Sequence, residues 1–184
     1  FIVVGEGEIT FLELLEALRN GASDIDMPGV ASRKDDDIHF GGPRPFIEDL
    51  DSLPIPAWDV IDYKAFSKII SMNAFRAAKP YGAISTSRAC PYRCIYCHGI
   101  FGKKFRAQSP ERVLEEIEVL SRRFGMKELQ VFDDIFNLNH DRAMAITEGV
   151  VERDIPMKFA FPNGVRSDLL SRELIKSLLS LIHI

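Results

Sequence analysis

All three cysteines of this 184-residue chain, Cys90, Cys94 and Cys97, lie within eight consecutive positions of the stretch RACPYRCIYCH. Thiolates are soft ligands that suit zinc or iron–sulfur clusters. An odd, clustered set makes a poor disulfide framework and a better metal site in a reducing compartment, which points to the cytoplasm. A closed zinc or cluster site normally takes four protein ligands. Three cysteines on a cubane [4Fe–4S] cluster would leave one iron open to a substrate group. The alternative is zinc, with His98 completing a Cys3His set in a structural or binding module. The adjacency of Cys97 and His98 weighs against that, because chain neighbours rarely reach one tetrahedral ion together. By ligand count alone both remain open.

The elements that must hold these residues follow from the pattern around them. From Tyr81 onward the chain alternates strand, loop and helix. GAIST (82–86) reads as a strand running straight into the cysteines. SPERVLEEIEVLSRRFG reads as a helix with Ser109 as N-cap and Pro110 at its first position. Val113, Leu114, Ile117, Leu120 and Phe124 form its apolar face and Gly125 its stop. ELQVFDD reads as a second strand, 141–153 as a helix, MKFAF (157–161) as a third strand and SRELIKSLL as the start of a third helix. Short links between such units predict parallel strands with right-handed crossovers, whose carboxyl ends carry the chemistry. Polar groups follow each strand: the cysteines, then Asp133 and Asp134, then NGVRSD at 163–168. These three sets are expected to meet at one mouth.

Upstream, FIVVGEGEITFLELLEALRNG reads as a buried strand, a glycine turn and a helix, the last β/α unit of a doubly wound sheet. Thr10 is the expected N-cap with Glu13 as its capping-box partner, Leu12, Leu15 and Leu18 the apolar face, and Gly21 the stop. Residues 28–42 read as a hairpin around the turn DDD. Prolines at 43, 45, 54 and 56 make 43–80 an extended connector pinned by Phe46, Leu50, Leu53 and Trp58.

Composition excludes several classes. The chain is 46% hydrophobic and 27% charged with a net charge of −4, which suits a globular protein. Its cations are scattered, so charge argues for no nucleic-acid partner. No apolar run approaches the roughly 18 residues of a membrane span. KKFR (103–106) is a small basic patch that reads as solvated surface or as a docking point for an electron donor. Chain ends read as cut: Phe1 opens inside a strand pattern, and LSLIHI (179–184) reads as a sequencing-adapter scar.

The C-x3-C-x2-C spacing, with Tyr96 just before the third cysteine and a strand just before the first, resembles the signature of radical S-adenosylmethionine (SAM) enzymes. VVGEGE…LLEAL followed by GPRPFIEDLDSLPIPAWDVID resembles the subgroup in which a cobalamin-binding, Rossmann-like domain precedes the radical SAM barrel. The resemblance covers residues 1–178 and is strongest at 43–62 and 85–98. It implies an α/β fold: the end of a B12-binding domain at 1–22, a hairpin and linker at 23–80, and the first half of a (β/α) radical SAM barrel at 81–178. It also implies that Cys90, Cys94 and Cys97 hold a [4Fe–4S] cluster whose open iron chelates SAM. One electron then breaks the S–C5′ bond and gives a 5′-deoxyadenosyl radical. Such a radical would serve methyl transfer to an unreactive carbon, or a cyclisation or rearrangement, on a small-molecule substrate. Flavodoxin or ferredoxin would donate the electron.

Other residues transfer by the same resemblance. Tyr96 belongs to the cluster motif. FDD stands where the family's SAM-ammonium motif sits, so Asp133 or Asp134 would accept from that ammonium. Asn163 and Arg166 would face the SAM carboxylate, or Arg166 would pair with Asp168. DIHFGG (37–42) spells the letters of a cobalt-ligating motif, but it follows a helix inside the hairpin instead of the first strand of a B12 domain. His39 is therefore not expected to be a cobalt ligand. GEGE (5–8) is weak as a phosphate loop and is placed near the nucleotide tail of cobalamin by resemblance only.

Overall fold

The chain's alternating apolar segments fold in this computed structural model as two units; the structure describes residues 1–66, 68 and 78–181. One unit comprises Phe1–Glu48 with Arg93–Lys103, the other Asp49–Tyr92 with the chain from Lys104 on. The linker expected over 23–80 and the terminal residues 179–184 lie partly outside the described residues.

In the first unit, β1 (Ile2–Val3) leads into α1 (Gly7–Arg19), and β2 (Val30–Lys34) and β3 (Asp37–Phe40) form the expected hairpin. The three strands make one antiparallel sheet in the order β1-β2-β3, with Ile2 opposite Ala31 and Ala31 opposite Phe40. The partner found for β1 is thus the hairpin and not a parallel neighbour. Two readings of α1 are corrected. The helix starts at Gly7, after Gly5 turns the chain at φ 92°, so Thr10 is inside the helix and not at its cap. Thr10 is buried with its hydroxyl unpartnered among the described residues, and Glu13 pairs instead with Arg44. The inward stripe is Thr10 and Leu14, both buried, and Ala17, partly buried, at positions i, i+4 and i+7; Leu14 and Ala17 pack with Ile25 and Val30, and Leu12, Leu15 and Leu18 are exposed.

The second unit contains two 3-10 turns at Leu50–Ser52 and Trp58–Val60, a short helix α2 (Tyr63–Phe66), and then the β/α alternation. β4 (Tyr81–Ile84), β7 (Glu128–Val131) and β8 (Lys158–Ala160) form a parallel sheet in that order. β5 (Ser87–Arg88) and β6 (Arg106–Ala107) are a small antiparallel pair on either side of the cysteine segment in sequence. The helices are α3 (Pro110–Arg122), α4 (His140–Glu152) and α5 (Arg172–Leu181).

Why α3 forms is plain from its residues. Ser109 Oγ accepts from the Arg112 amide, Pro110 sits in the first turn, and Val113, Leu114, Ile117 and Leu120 are almost fully buried. Each such side chain contributes roughly 1.5–3 kcal/mol of transfer free energy. They meet Ile84, Leu129, Val131 and Phe159 from the helix-covered side of the sheet, with Ile146, Val150, Leu174 and Leu178 from α4 and α5. Trp58 packs on the same core and donates from Nε1 to Glu116 at 3.3 Å, and Leu50 is buried, so both pin the connector as expected. Phe46, in the other unit, is partly exposed.

Candidate functional site

Strand ends deliver the polar sets. The register pairs Ala83 with Gln130 and Gln130 with Ala160, so β4, β7 and β8 end side by side. Two residues past β7, Asp133 is 2% exposed. Its Oδ1 accepts from the Thr86 and Ser87 amides at 2.5 and 3.1 Å, and its Oδ2 from their hydroxyls at 2.6 and 2.7 Å. Burial pushes the Asp133 carboxyl upward, against those hydrogen bonds and the nearby Arg142 charge. Asp134, next along the chain, is only half-buried.

From the third strand end, Asn163 Nδ2 donates to the Phe132 and Asp133 carbonyls, both at 3.2 Å. Arg166 and Asn137 exchange two bonds, amide to Oδ1 at 2.9 Å and Nδ2 to carbonyl at 2.8 Å. The Arg166 guanidinium grips Asp168 through Nε and Nη2 at 3.0 and 2.7 Å, which holds the Asp168 carboxyl below its ordinary range. It also lies 3.7 Å over the Tyr92 ring, two residues past Cys90. The Asp168 pairing expected as one option is present, and within this unit the ends of β4, β7 and β8 meet through Thr86, Asp133 and Asn163.

The cysteines themselves are free thiols: Cys90 is half-buried, Cys94 and Cys97 exposed. Ala89, almost wholly buried, turns the backbone at φ 69° immediately before Cys90. Further on, the Cys97 amide donates to the Cys94 carbonyl at 3.1 Å, and Ile95 and Tyr96 are almost fully exposed. Gly102 sits at φ 78° with the Phe46 ring so close that a Cβ there would lie 2.9 Å from it. Among the described residues no three His, Cys, Asp or Glu side chains gather as a metal-holding group, neither Cys90, Cys94 and Cys97 nor that set with His98. As a donor set, three free thiols on one loop fit a cluster with three protein ligands.

Three features escaped the sequence reading. Arg106 of the KKFR patch is 4% exposed and belongs to β6, so the patch is not solvated throughout. Glu128 and Gln130 are buried on the face of β7 opposite Leu129 and Val131; Gln130 Nε2 donates to Glu128 Oε1 at 3.2 Å, and the Ala78 amide to Glu128 Oε2 at 3.0 Å. Their signal was the polar–apolar alternation in ELQV. Arg142, in the first turn of α4, is also buried, with no signal in its own segment. His39, as expected of a hairpin residue, pairs on the surface with Asp26 at 2.9 Å, and that bond holds the Asp26 carboxyl low.

No family model matches the chain. Several curated relatives align along most of it. An uncharacterised methyltransferase of Pyrococcus horikoshii is 33% identical over 169 residues, 90% of this chain and 35% of that protein. The anaerobic magnesium-protoporphyrin IX monomethyl ester cyclase of Synechocystis is 31% identical over 174 residues, 94% of this chain and 33% of that protein. Among solved structures, the cobalamin-dependent SAM radical enzyme OxsB with aqua-cobalamin and SAM bound superposes with a TM-score of 0.70 at 21% identity, over 97% of this chain and 26% of that one. The radical SAM methyltransferase TsrM of Kitasatospora setae, with cobalamin and a [4Fe–4S] cluster bound, gives 0.62 at 19% identity, over 98% and 36%.

The chain is thus similar in sequence to a methyltransferase and a cyclase, and in fold to radical SAM enzymes solved with cobalamin bound. It spans about a third of the length of the curated relatives it matches. Its α/β fold is that of the matching segments of OxsB and TsrM. No helix among the described residues is long and apolar enough to cross a membrane.

Proposed function

We propose that this chain carries the cluster-binding half-barrel of a cobalamin-dependent radical SAM enzyme, and that the whole protein transfers a methyl group to, or cyclises, a small-molecule substrate. The observation that carries this is the set of three free cysteines at C-x3-C-x2-C, in the segment that follows β4 and β5, where β4 is the first strand of a parallel β/α sheet whose strand ends meet. A cluster held there would supply one electron to SAM at its open iron and release a 5′-deoxyadenosyl radical. The relatives are a methyltransferase and a cyclase, which supports the two reaction types, and the ligands of OxsB and TsrM support SAM, cobalamin and the cluster as cofactors.

The chain's own residues then divide the work. Cys90, Cys94 and Cys97 hold the metal, with Tyr96 between the last two. Asp134 takes the SAM ammonium, because its neighbour Asp133 already accepts at all four lone-pair positions of its carboxylate. Asn163 and Arg166 shape the rim beside it, Asn163 through the strand-end carbonyls and Arg166 through Asp168 and Asn137. Residues 1–22 belong to the cobalamin-binding domain and 23–80 to the linker. The electron comes from flavodoxin or ferredoxin in the cytoplasm, where all three thiols stay reduced.

The test uses the full-length protein, reconstituted without air with iron, sulfide and hydroxocobalamin and then reduced in the presence of SAM. Formation of 5′-deoxyadenosine, or of S-adenosylhomocysteine, is the expected result. Intact SAM after reduction of a fully loaded protein contradicts the proposal.

A further inference from the structure

We propose that Asp133 and Arg142 are positioning residues that clamp the entrance of the cysteine loop, and that Asp133 acts through Thr86 and Ser87 without touching SAM. The inference rests on the reading that Cys90, Cys94 and Cys97 hold a cluster.

Every polar backbone and side-chain atom of Thr86 is committed. Its amide and hydroxyl donate to Asp133, while its carbonyl accepts from the Gln108 amide at 3.0 Å and from Arg142 Nη2 at 2.9 Å. Ser87 gives its amide and hydroxyl to the same carboxylate, and its strand pairs with β6. Arg142 Nε donates to the Gln108 carbonyl at 2.7 Å, so one guanidinium joins the segment entering the loop to the segment leaving it. Thr86, Ser87, Asp133 and Arg142 are all at least nine-tenths buried.

Only Arg88 and Ala89 separate Ser87 from Cys90, and the backbone takes a positive φ at Ala89. With Thr86 and Ser87 locked by side chains from the end of β7 and the first turn of α4, the start of the loop has a fixed origin. Loss of the clamp frees the residues that set where the first thiol stands. A ligand-bearing loop with a loose origin holds its metal less firmly, because ordering it is then charged against binding. The same four bonds explain why a direct role for Asp133 toward an ammonium does not fit: an ionised carboxylate offers about four acceptor positions, and all are taken.

The test is made on the full-length protein, reconstituted without air. Iron per chain, the rate of iron loss to a chelator, the electron paramagnetic resonance spectrum of the reduced cluster with and without SAM, and SAM affinity are measured for the parent and four variants. Asp133→Ala removes all four acceptors. Asp133→Asn keeps two acceptor lone pairs for the amides and turns its NH2 to the hydroxyls, which can rotate to accept. Thr86→Ala removes one donor, and Thr86→Ser restores it. Asp133→Ala and Thr86→Ala are expected to lose iron faster, by about tenfold for Asp133→Ala. Asp133→Asn and Thr86→Ser are expected to keep the parent's cluster spectrum, its response to SAM and its SAM affinity.

Asp133→Ala and Thr86→Ala holding iron as firmly as the parent overturns the clamp. Asp133→Asn with a full cluster but about tenfold weaker SAM binding makes Asp133 a SAM ligand and overturns it too. If Asp133→Ala does not fold, the Thr86 pair decides by the same criteria. A parent protein that takes up no iron overturns the underlying cluster reading, a result distinct from either of these.

Discussion

Residue chemistry was legible wherever it was local. Ser109 and Pro110 announced the start of α3, and the three clustered cysteines, read as soft-metal ligands, are free thiols in the structure. Asp133 was visible as a polar strand end, but its four donors lie 46 and 47 positions away, and nothing in FDD says which of two adjacent carboxylates turns inward. The structure separates them: Asp133 is buried under Thr86 and Ser87, and Asp134 is half-exposed. A carboxylate facing a partly shielded ammonium gains a charge-assisted bond, so Asp134→Asn should weaken SAM binding by about one to two orders of magnitude while the cluster still assembles. Calorimetric titration of SAM into the anaerobic full-length variant checks this. Unchanged affinity removes Asp134 from the site. Asp35 and Asp36, in the hairpin turn, are the matched control.

At the scale of elements, periodicity predicted β4, α3, β7, α4, β8 and α5 in the right order, because an apolar stripe at i, i+3, i+4 and a buried strand are strong signals. It misjudged α1 for the same physical reason. Leu12, Leu15 and Leu18 make the greasier stripe, yet Thr10 and Leu14 face the strands, and only tertiary packing selects between two apolar faces. The β5–β6 pair is two residues per strand, too short for any periodicity.

α3 carries a pH-dependent contact. Glu116 is 5% exposed, between Arg112 at 3.4 Å and the Trp58 indole, and burial raises its carboxyl above the ordinary 4.5 despite both partners. A raised folded-state value means that its contribution to stability is complete below about pH 4.5 and is lost as pH rises through the folded value. Glu116→Gln keeps an acceptor for Trp58 and does not titrate. The thermal midpoint of the parent minus that of Glu116→Gln should therefore fall between acidic and neutral pH. A difference that rises over that range contradicts the assignment.

For the whole molecule, the β/α alternation and the proline-rich connector were readable, while the pairing of β1 with the hairpin was not, since sheet partners are long-range choices. One consequence concerns surface. Ile9, Phe11, Leu12, Leu15 and Leu18 leave an apolar row on α1 exposed. Soluble monomers rarely show contiguous apolar patches beyond a few hundred Å². The 184-residue chain on its own should enhance the fluorescence of a hydrophobic dye, and Leu12→Gln with Leu15→Gln should reduce that signal. No enhancement in the parent chain would show that this row is not an accessible apolar surface.

The measurement that bears most directly on function is metal analysis of the full-length protein, purified and reconstituted without air, beside its Cys90→Ala, Cys94→Ala and Cys97→Ala variants. Four irons and four sulfides per chain are expected for one [4Fe–4S] cluster, with a brown, oxygen-sensitive chromophore that each single substitution abolishes. Stoichiometric tetrahedral zinc, with no iron uptake, would contradict the cluster and with it the proposed radical chemistry.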